Sequence, residues 1–254
     1  MMKKLVIGVT AAFIGLGASN AMAAGEKIDL PHVKWSFDGI FGTFDRAELQ
    51  RGYQIYKEVC SACHSLRYIA YRNLAALEYN EEEIKALASE AIVIDGPDDD
   101  GEMFERPGLP SDYHPSPFEN DKQAAAANGG ALPPDLSLMA KARIGGPDYL
   151  YALLIGYEEP PAGFDLMAGL NYNKYFPGHQ IAMASPLVDD GVEYADGTAA
   201  TVEQQARDVT AFLMWAAEPM LEERKQTGLK VIGFLIILTA LLYVVKRRIW
   251  ADLH

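Results

Sequence analysis

Two cysteines and a histidine fall within five residues, Cys60-Ser61-Ala62-Cys63-His64, and the 254-residue chain has no other cysteine. A C-x-x-C-H run is the attachment signature of a c-type haem. The spacing has a chemical reason: two thiols add across the two vinyl groups, and the adjacent imidazole lies under the iron as an axial ligand. One motif specifies one covalently held haem. A thioredoxin-like use of the thiols calls for a βαβ setting, and no strand pattern precedes the motif. A four-cysteine zinc or iron–sulfur site calls for a second pair. The other side of the iron needs a ligand too. Met183, in a loop rich in Pro, Gly and Tyr, stands ahead of His179 and Met139 for that place. A thioether there raises the potential and favours electron transfer, whereas an open position favours gas binding.

The elements that must position these residues are helical. Asp45-Arg46-Ala47-Glu48 has the form of a capping box. Leu49, Tyr53, Tyr56 and Val59 follow on one helical face that runs into Cys60. Gly52 on that helix costs stability unless something packs closely against it. Asn80 opens a helix over 81–90. A short Ala-rich helix over 121–128 ends at Gly129-Gly130, and 132–136 is a rigid Pro-Pro turn. Pro147 starts a helix reaching Gly156. Thr201-Val202-Glu203-Gln204 is a second capping box, opening a helix with Val209, Phe212, Leu213 and Trp215 apolar. Pro219 ends it. Residues 95–117 and 156–196 read as loops, with no period-2 strand of useful length.

The formal charge is -13, and half the residues are hydrophobic. That excludes disorder throughout and a phosphate-binding nucleic-acid protein. The two ends differ from the middle. Residues 1–23 read as a secretory signal peptide: Lys3 and Lys4, an apolar run over 5–17, and the cleavage site Ala21-Met22-Ala23. Residues 231–245 form 15 consecutive uncharged residues. Leu229, Ile249 and the snorkelling Lys230 and Lys246 extend this to a membrane span over 226–249. Lys246-Arg247-Arg248 keeps the 250–254 tail cytoplasmic, so the 24–225 domain is exported. That domain and its flank carry 16 basic against 34 acidic residues, a charge of -18.

The chain resembles the cytochrome c1 family, the membrane-anchored haem subunits of cytochrome bc1 (quinol–cytochrome c reductase) complexes. The likeness rests on Trp35-Ser36-Phe37-Asp38-Gly39, Arg51-Gly52-Tyr53-Gln54-Ile55-Tyr56, the Cys60–His64 motif and Leu132-Pro133-Pro134-Asp135-Leu136-Ser137. It continues through Lys141-Ala142-Arg143, Gly145-Gly146-Pro147-Asp148-Tyr149, Asn171-Tyr172-Asn173, Tyr175-Phe176-Pro177-Gly178, Ile181-Ala182-Met183 and the segment from Phe212 to Pro219. The resemblance implies a mainly α, class I cytochrome c-like domain with long loops and one C-terminal transmembrane helix. It implies Cys60 and Cys63 as thioether residues, His64 and Met183 as axial ligands, Arg143 beside the propionates, and Pro134 as carbonyl partner of the proximal imidazole. It explains Gly52 as the place where the first helix is crossed by the last. It also implies an electron carrier, not an enzyme by itself, in a dimeric complex with cytochrome b and a Rieske iron–sulfur protein, passing electrons to a cytochrome c. The short signal favours a bacterial cytoplasmic membrane with the haem domain periplasmic. Some bacterial members carry an inserted loop with a disulfide; with both cysteines committed, that bridge cannot form here, and 95–118 is the stretch least like the family. Two acidic runs, Glu81-Glu82-Glu83 and Asp95, Asp98, Asp99, Asp100, Glu102 and Glu105, are expected either to steer a basic partner or to be solvated surface.

Overall fold

A computed structural model describes residues 28–251; the expected signal peptide and the last three residues lie outside that range. Seven α-helices follow one another among the described residues: α1 (Arg46–Glu58), α2 (Glu81–Ser89), α3 (Asp121–Ala127), α4 (Met139–Ala142), α5 (Gly146–Ile155), α6 (Val202–Ala217) and α7 (Leu221–Ile249). Two antiparallel ladders interrupt them, β1 (Ile92–Asp95) with β2 (Phe104–Pro107) and β3 (Asn171–Tyr172) with β4 (Gln180–Ile181).

Local chemistry sets most helix starts. The Asn80 side chain accepts from the amides of Glu82 and Glu83, and Glu83 reaches back to the Asn80 amide at 2.8 Å, closing a full capping box on α2. Thr201 accepts from the Gln204 amide at the start of α6. At α1 only half of the expected box forms. Asp45 accepts from the amides of Ala47 and Glu48, but the Glu48 carboxylate turns inward and takes Arg207 of α6 at 2.8 Å. Its burial raises its pKa, and the Arg207 charge opposes that rise.

The core is the crossing of α1 with α6, flanked by α5 and α4. Gly52 makes it possible. A Cβ there would lie 2.1 Å from the Asp208 carbonyl oxygen and 2.7 Å from Phe212 Cβ. Around the contact Tyr53 and Tyr56 of α1 pack on Phe212, which in turn packs on Trp215. Arg51 holds the fully buried Asp208 through Nε at 2.9 Å and a second nitrogen at 3.0 Å. The paired geometry compensates the desolvation of that carboxylate.

The stretch 95–117, expected to be irregular, contains most of a hairpin. Ile92 pairs with Pro107 and Asp95 with Phe104. Four-residue strands with little burial lack the alternation that would reveal them in sequence. Arg106 fixes the hairpin to the following loop, binding Asp95 at 2.5 Å and Asp112 at 2.6 and 3.0 Å.

Helix α7 leaves this domain after Pro219 as one 29-residue element, roughly 44 Å long at 1.5 Å per residue. Its apolar part has a mean hydropathy of 2.4 and is not buried against any other part of the described residues. The length and composition suit a bilayer crossing, and Lys246, Arg247 and Arg248 occupy its last turn.

Candidate haem site

Helix α1 delivers the thiol motif. After Val59 the chain tightens into a single 3-10 turn over Cys60–Ala62. The amides of Cys63 and His64 both donate to the Cys60 carbonyl, at 3.1 and 2.9 Å. Ser61 Oγ donates to the Lys57 carbonyl at 2.7 Å, tying the turn to the helix. Both thiols are free, Cys60 half-buried and Cys63 exposed. Burial, with a contribution from Cys63, pushes the Cys60 thiol up to about 12, the reverse of the depressed value that marks a redox-exchange cysteine.

The imidazole that follows is oriented from one side. His64 Nδ1 lies 2.7 Å from the Pro134 carbonyl. A carbonyl can only accept, so Nδ1 carries the proton and Nε2 keeps its lone pair for a metal. Burial lowers the His64 pKa, opposed by the Pro134 hydrogen bond and the charge of Asp135. The net shift favours the neutral ring that a metal requires.

Asp135 fastens the Pro134 carbonyl in place. Its carboxylate accepts from Ser65 Oγ at 2.7 Å and from the amides of Arg67 and Ser137, both at 3.0 Å. Leu136 donates to the Ser65 carbonyl at 2.9 Å, and Ser137 Oγ accepts from the Tyr68 amide at 3.1 Å. The segment after His64 and the segment around Pro134 are thus stapled along their length. We expect Asp135→Ala to strand three donors, at a cost of about 1–3 kcal/mol, and to shift the haem midpoint potential by loosening the His64 contact. A denaturation curve and a redox titration check it; an unchanged potential would mean that Pro134 is held without Asp135.

Met183 is half-buried in a loop held by its own backbone. Tyr157 OH donates to the Met183 carbonyl at 3.0 Å. Asn171 Nδ2 lies 3.4–3.5 Å from the carbonyls of Ile181, Ala182 and Met183, beside the β3–β4 ladder. The competing donors are engaged elsewhere. His114 is buried, with Nδ1 on the Ile69 carbonyl at 2.8 Å and Nε2 on Tyr53 OH at 3.2 Å. His179 stacks on Tyr172 and sets Nδ1 3.3 Å from the Asn173 carbonyl. Met139 packs against the core at the first turn of α4. Arg143, just after α4, is exposed; its carbonyl accepts from the Gly146 amide at 3.0 Å, and its guanidinium makes no hydrogen bond or ion pair among the described residues. That leaves its guanidinium available to a carboxylate.

These residues fit a covalently attached haem. Two free thiols precede an imidazole whose outer nitrogen is already used, and a free cation stands on a neighbouring element. No group of three His, Cys, Asp or Glu side chains among the described residues could hold a bare metal ion instead. Sequence reasoning did not assign the roles of Asp135, Ser65, Tyr157 and Asn171. The Pro-Asp-Leu-Ser run offered one signal, since Asp in such a turn bonds to nearby backbone amides.

Known proteins resemble this chain along most of its length. Residues 35–253 match the family model described as "Cytochrome C1 family". The chain is 52% identical to cytochrome c1 of Rhodospirillum rubrum, over 93% of this chain and 92% of that one. It is 50% identical to cytochrome b/c1 of Bradyrhizobium diazoefficiens over 97% of this chain, which spans 39% of that longer protein. It is 49% identical to the cytochrome b-c1 complex catalytic subunit of Candida albicans, over 98% of this chain and 88% of that one. On the family match and these identities, the chain belongs to the cytochrome c1 family.

Proposed function

We propose that this chain is the electron-carrying haem subunit of a cytochrome bc1 complex, a relay that makes and breaks no substrate bond itself. The observation that carries the reading is the His64–Pro134 contact at 2.7 Å, directly after two free thiols at C-x-x-C spacing. A haem held there supplies a one-electron couple. Cys60 and Cys63 would attach it through thioethers. His64 Nε2 and the Met183 thioether would ligate its iron. Arg143 pairs with a propionate. Pro134, fixed by Asp135, orients the imidazole and raises its basicity. Tyr157 and Asn171 hold the Met183 loop so that the thioether stays in place through oxidation and reduction.

Helix α7 anchors the domain in the membrane, with Lys246, Arg247 and Arg248 on the cytoplasmic side and the haem domain in the periplasm. The partners are cytochrome b and a Rieske iron–sulfur protein in a dimeric complex, with a cytochrome c as acceptor. The fused cytochrome b/c1 relative supports cytochrome b as the neighbour. Co-purification of the tagged chain from its membranes tests this: cytochrome b and an iron–sulfur protein should appear with it, and the chain recovered alone would point to a free-standing anchored carrier.

The acidic surface divides into structural and available charge. Asp95 is committed to Arg106, Asp98 caps its own turn through the amides of Asp100 and Glu102, and Glu83 caps α2. Asp99, Asp100, Glu102 and Glu105 make no ion pair among the described residues. Glu158 and Glu159, both exposed, follow Tyr157 beside the Met183 loop. We expect these free carboxylates to steer a basic acceptor, so the bimolecular rate should fall on the order of tenfold between low and physiological salt. Stopped-flow mixing with a basic cytochrome c measures it, and a rate flat in ionic strength would remove the steering role.

A further inference from the structure

The loop between Trp35 and Phe44 presents two large apolar side chains to the outside, Ile40 at 63% and Phe41 at 77% exposure, while Phe37 and Phe44 on either side are buried. The loop is built rather than slack. The Trp35 amide donates to Asp38 at 2.9 Å, and the Thr43 amide to the Ser36 carbonyl at 3.1 Å. Gly39 takes a left-handed φ of 69°. A Cβ on Gly42 would fall 2.0 Å from the Asp38 carbonyl oxygen.

The loop is also clasped to the first turns of α7. Phe44 donates its amide to Glu222 at 2.7 Å, and Arg46 binds the same carboxylate through both terminal nitrogens at 2.9 and 2.8 Å. Lys225 Nζ caps the Phe37 and Gly42 carbonyls at 2.6 and 3.1 Å. One helical turn beyond Lys225, about 6 Å along the axis, Leu229 opens the exposed apolar surface of the anchor. The interfacial layer flanking a bilayer core is about 5–7 Å thick on each side. With α7 as the anchor, this spacing would put the loop at headgroup depth.

We propose that Ile40 and Phe41 form an interfacial wedge that inserts into the lipid headgroup and acyl boundary beside α7, fixing the tilt and height of the haem domain over the membrane. The proposal rests on α7 being the membrane anchor. Lipid is the occupant because Lys225, which holds the loop, lies one turn before the exposed apolar surface of the anchor. Two side chains are also far short of the roughly 800 Å² that each partner contributes to a stable protein interface. A rigid carrier loop makes insertion inexpensive in entropy, since nothing need be ordered on contact.

Spin labels at Phe41→Cys and, separately, Ile40→Cys test it in the haem-loaded full chain, in lipid nanodiscs and in the assembled complex. Both side chains are outside the core, so either substitution leaves the fold intact. Labels at Ala126→Cys on α3 and Leu238→Cys in the anchor serve as water and bilayer references. The readout is the ratio of collisions with oxygen to collisions with a water-soluble nickel chelate. The expected ratio at 40 and 41 is several-fold above that at 126 and below that at 238, in both preparations. A ratio equal to that at 126 while 238 reads as bilayer overturns the wedge and leaves the anchor standing. A water-like ratio at 238 overturns the anchor as well. Loss of both collision rates at 40 and 41 in the complex alone would assign the pair to a protein neighbour and overturn the lipid assignment.

Discussion

Replacing Met183 with Leu should convert a closed haem into one that binds carbon monoxide. The substitution keeps the apolar volume and the backbone contacts to Tyr157 OH and Asn171 Nδ2. It removes only the sulfur. His114 and His179 are engaged elsewhere and Met139 packs against the core, so neither of these histidines nor Met139 is poised to replace it. His64 would then be the sole axial ligand. A thioether raises the potential by favouring ferrous iron, so its loss should lower the midpoint by on the order of 100 mV or more, within the wide range over which axial ligands act. The haem should remain covalently bound, because Cys60 and Cys63 are untouched. A redox titration and a spectrum under carbon monoxide measure both effects. A Met183→Leu protein with an unchanged potential and no carbon monoxide shift would place the second ligand elsewhere.

Gly52→Val should prevent the domain from accumulating. Even the first carbon of a side chain at 52 would sit 2.1 Å from the Asp208 carbonyl oxygen and 2.7 Å from Phe212 Cβ. One of these atoms is backbone and the other is the root of a fully buried ring, so neither can swing aside. The two helices would have to part. Overpacking of this kind costs about 1–3 kcal/mol when neighbours can relax, and here the parting also strains the Arg51–Asp208 contacts at 2.9 and 3.0 Å. Leaving Asp208 buried without a good partner adds to the cost. Against a typical stability of about 5–15 kcal/mol, Gly52→Ala should fold with a lowered denaturation midpoint, and the branched Val should deplete the folded protein. The haem motif ends α1, so loss of this crossing should appear as loss of covalent haem per chain. Haem staining against immunoblot signal measures that ratio, and a full haem complement at wild-type stability in Gly52→Val would show that the crossing is not needed.

Helix starts were legible because their causes are local. Asn80 and Thr201 satisfy amides two or three residues away, and the sequence carries both partners. Glu48 shows where this stops. The same capping spacing was present, but a buried position opposite Arg207 drew the carboxylate across to α6. Gly52 was legible as a demand for close packing, and the structure supplies Asp208 and Phe212 as its neighbours. The thiol motif stands in the sequence outright. Pro134, Arg143 and Met183 do not, since each lies 70 or more residues from His64; loop context alone put Met183 forward as a candidate, and only the family resemblance joined Pro134 and Arg143 to the site. The Asp135 staple and the Tyr157 and Asn171 supports stayed hidden for the same reason: they are contacts between segments with no shared periodicity. The hairpin of β1 and β2 was missed because four half-exposed residues per strand carry too little pattern.

The central claim is that one haem is held by Cys60 and Cys63 and closed on both faces by His64 and Met183. A reduced-minus-oxidised spectrum of the purified full chain, recorded with and without carbon monoxide, tests it most directly. A c-type band, retained after acidic organic extraction and unmoved by carbon monoxide, is the predicted result. A band that shifts with carbon monoxide, or a haem that extracts from the chain, would contradict it.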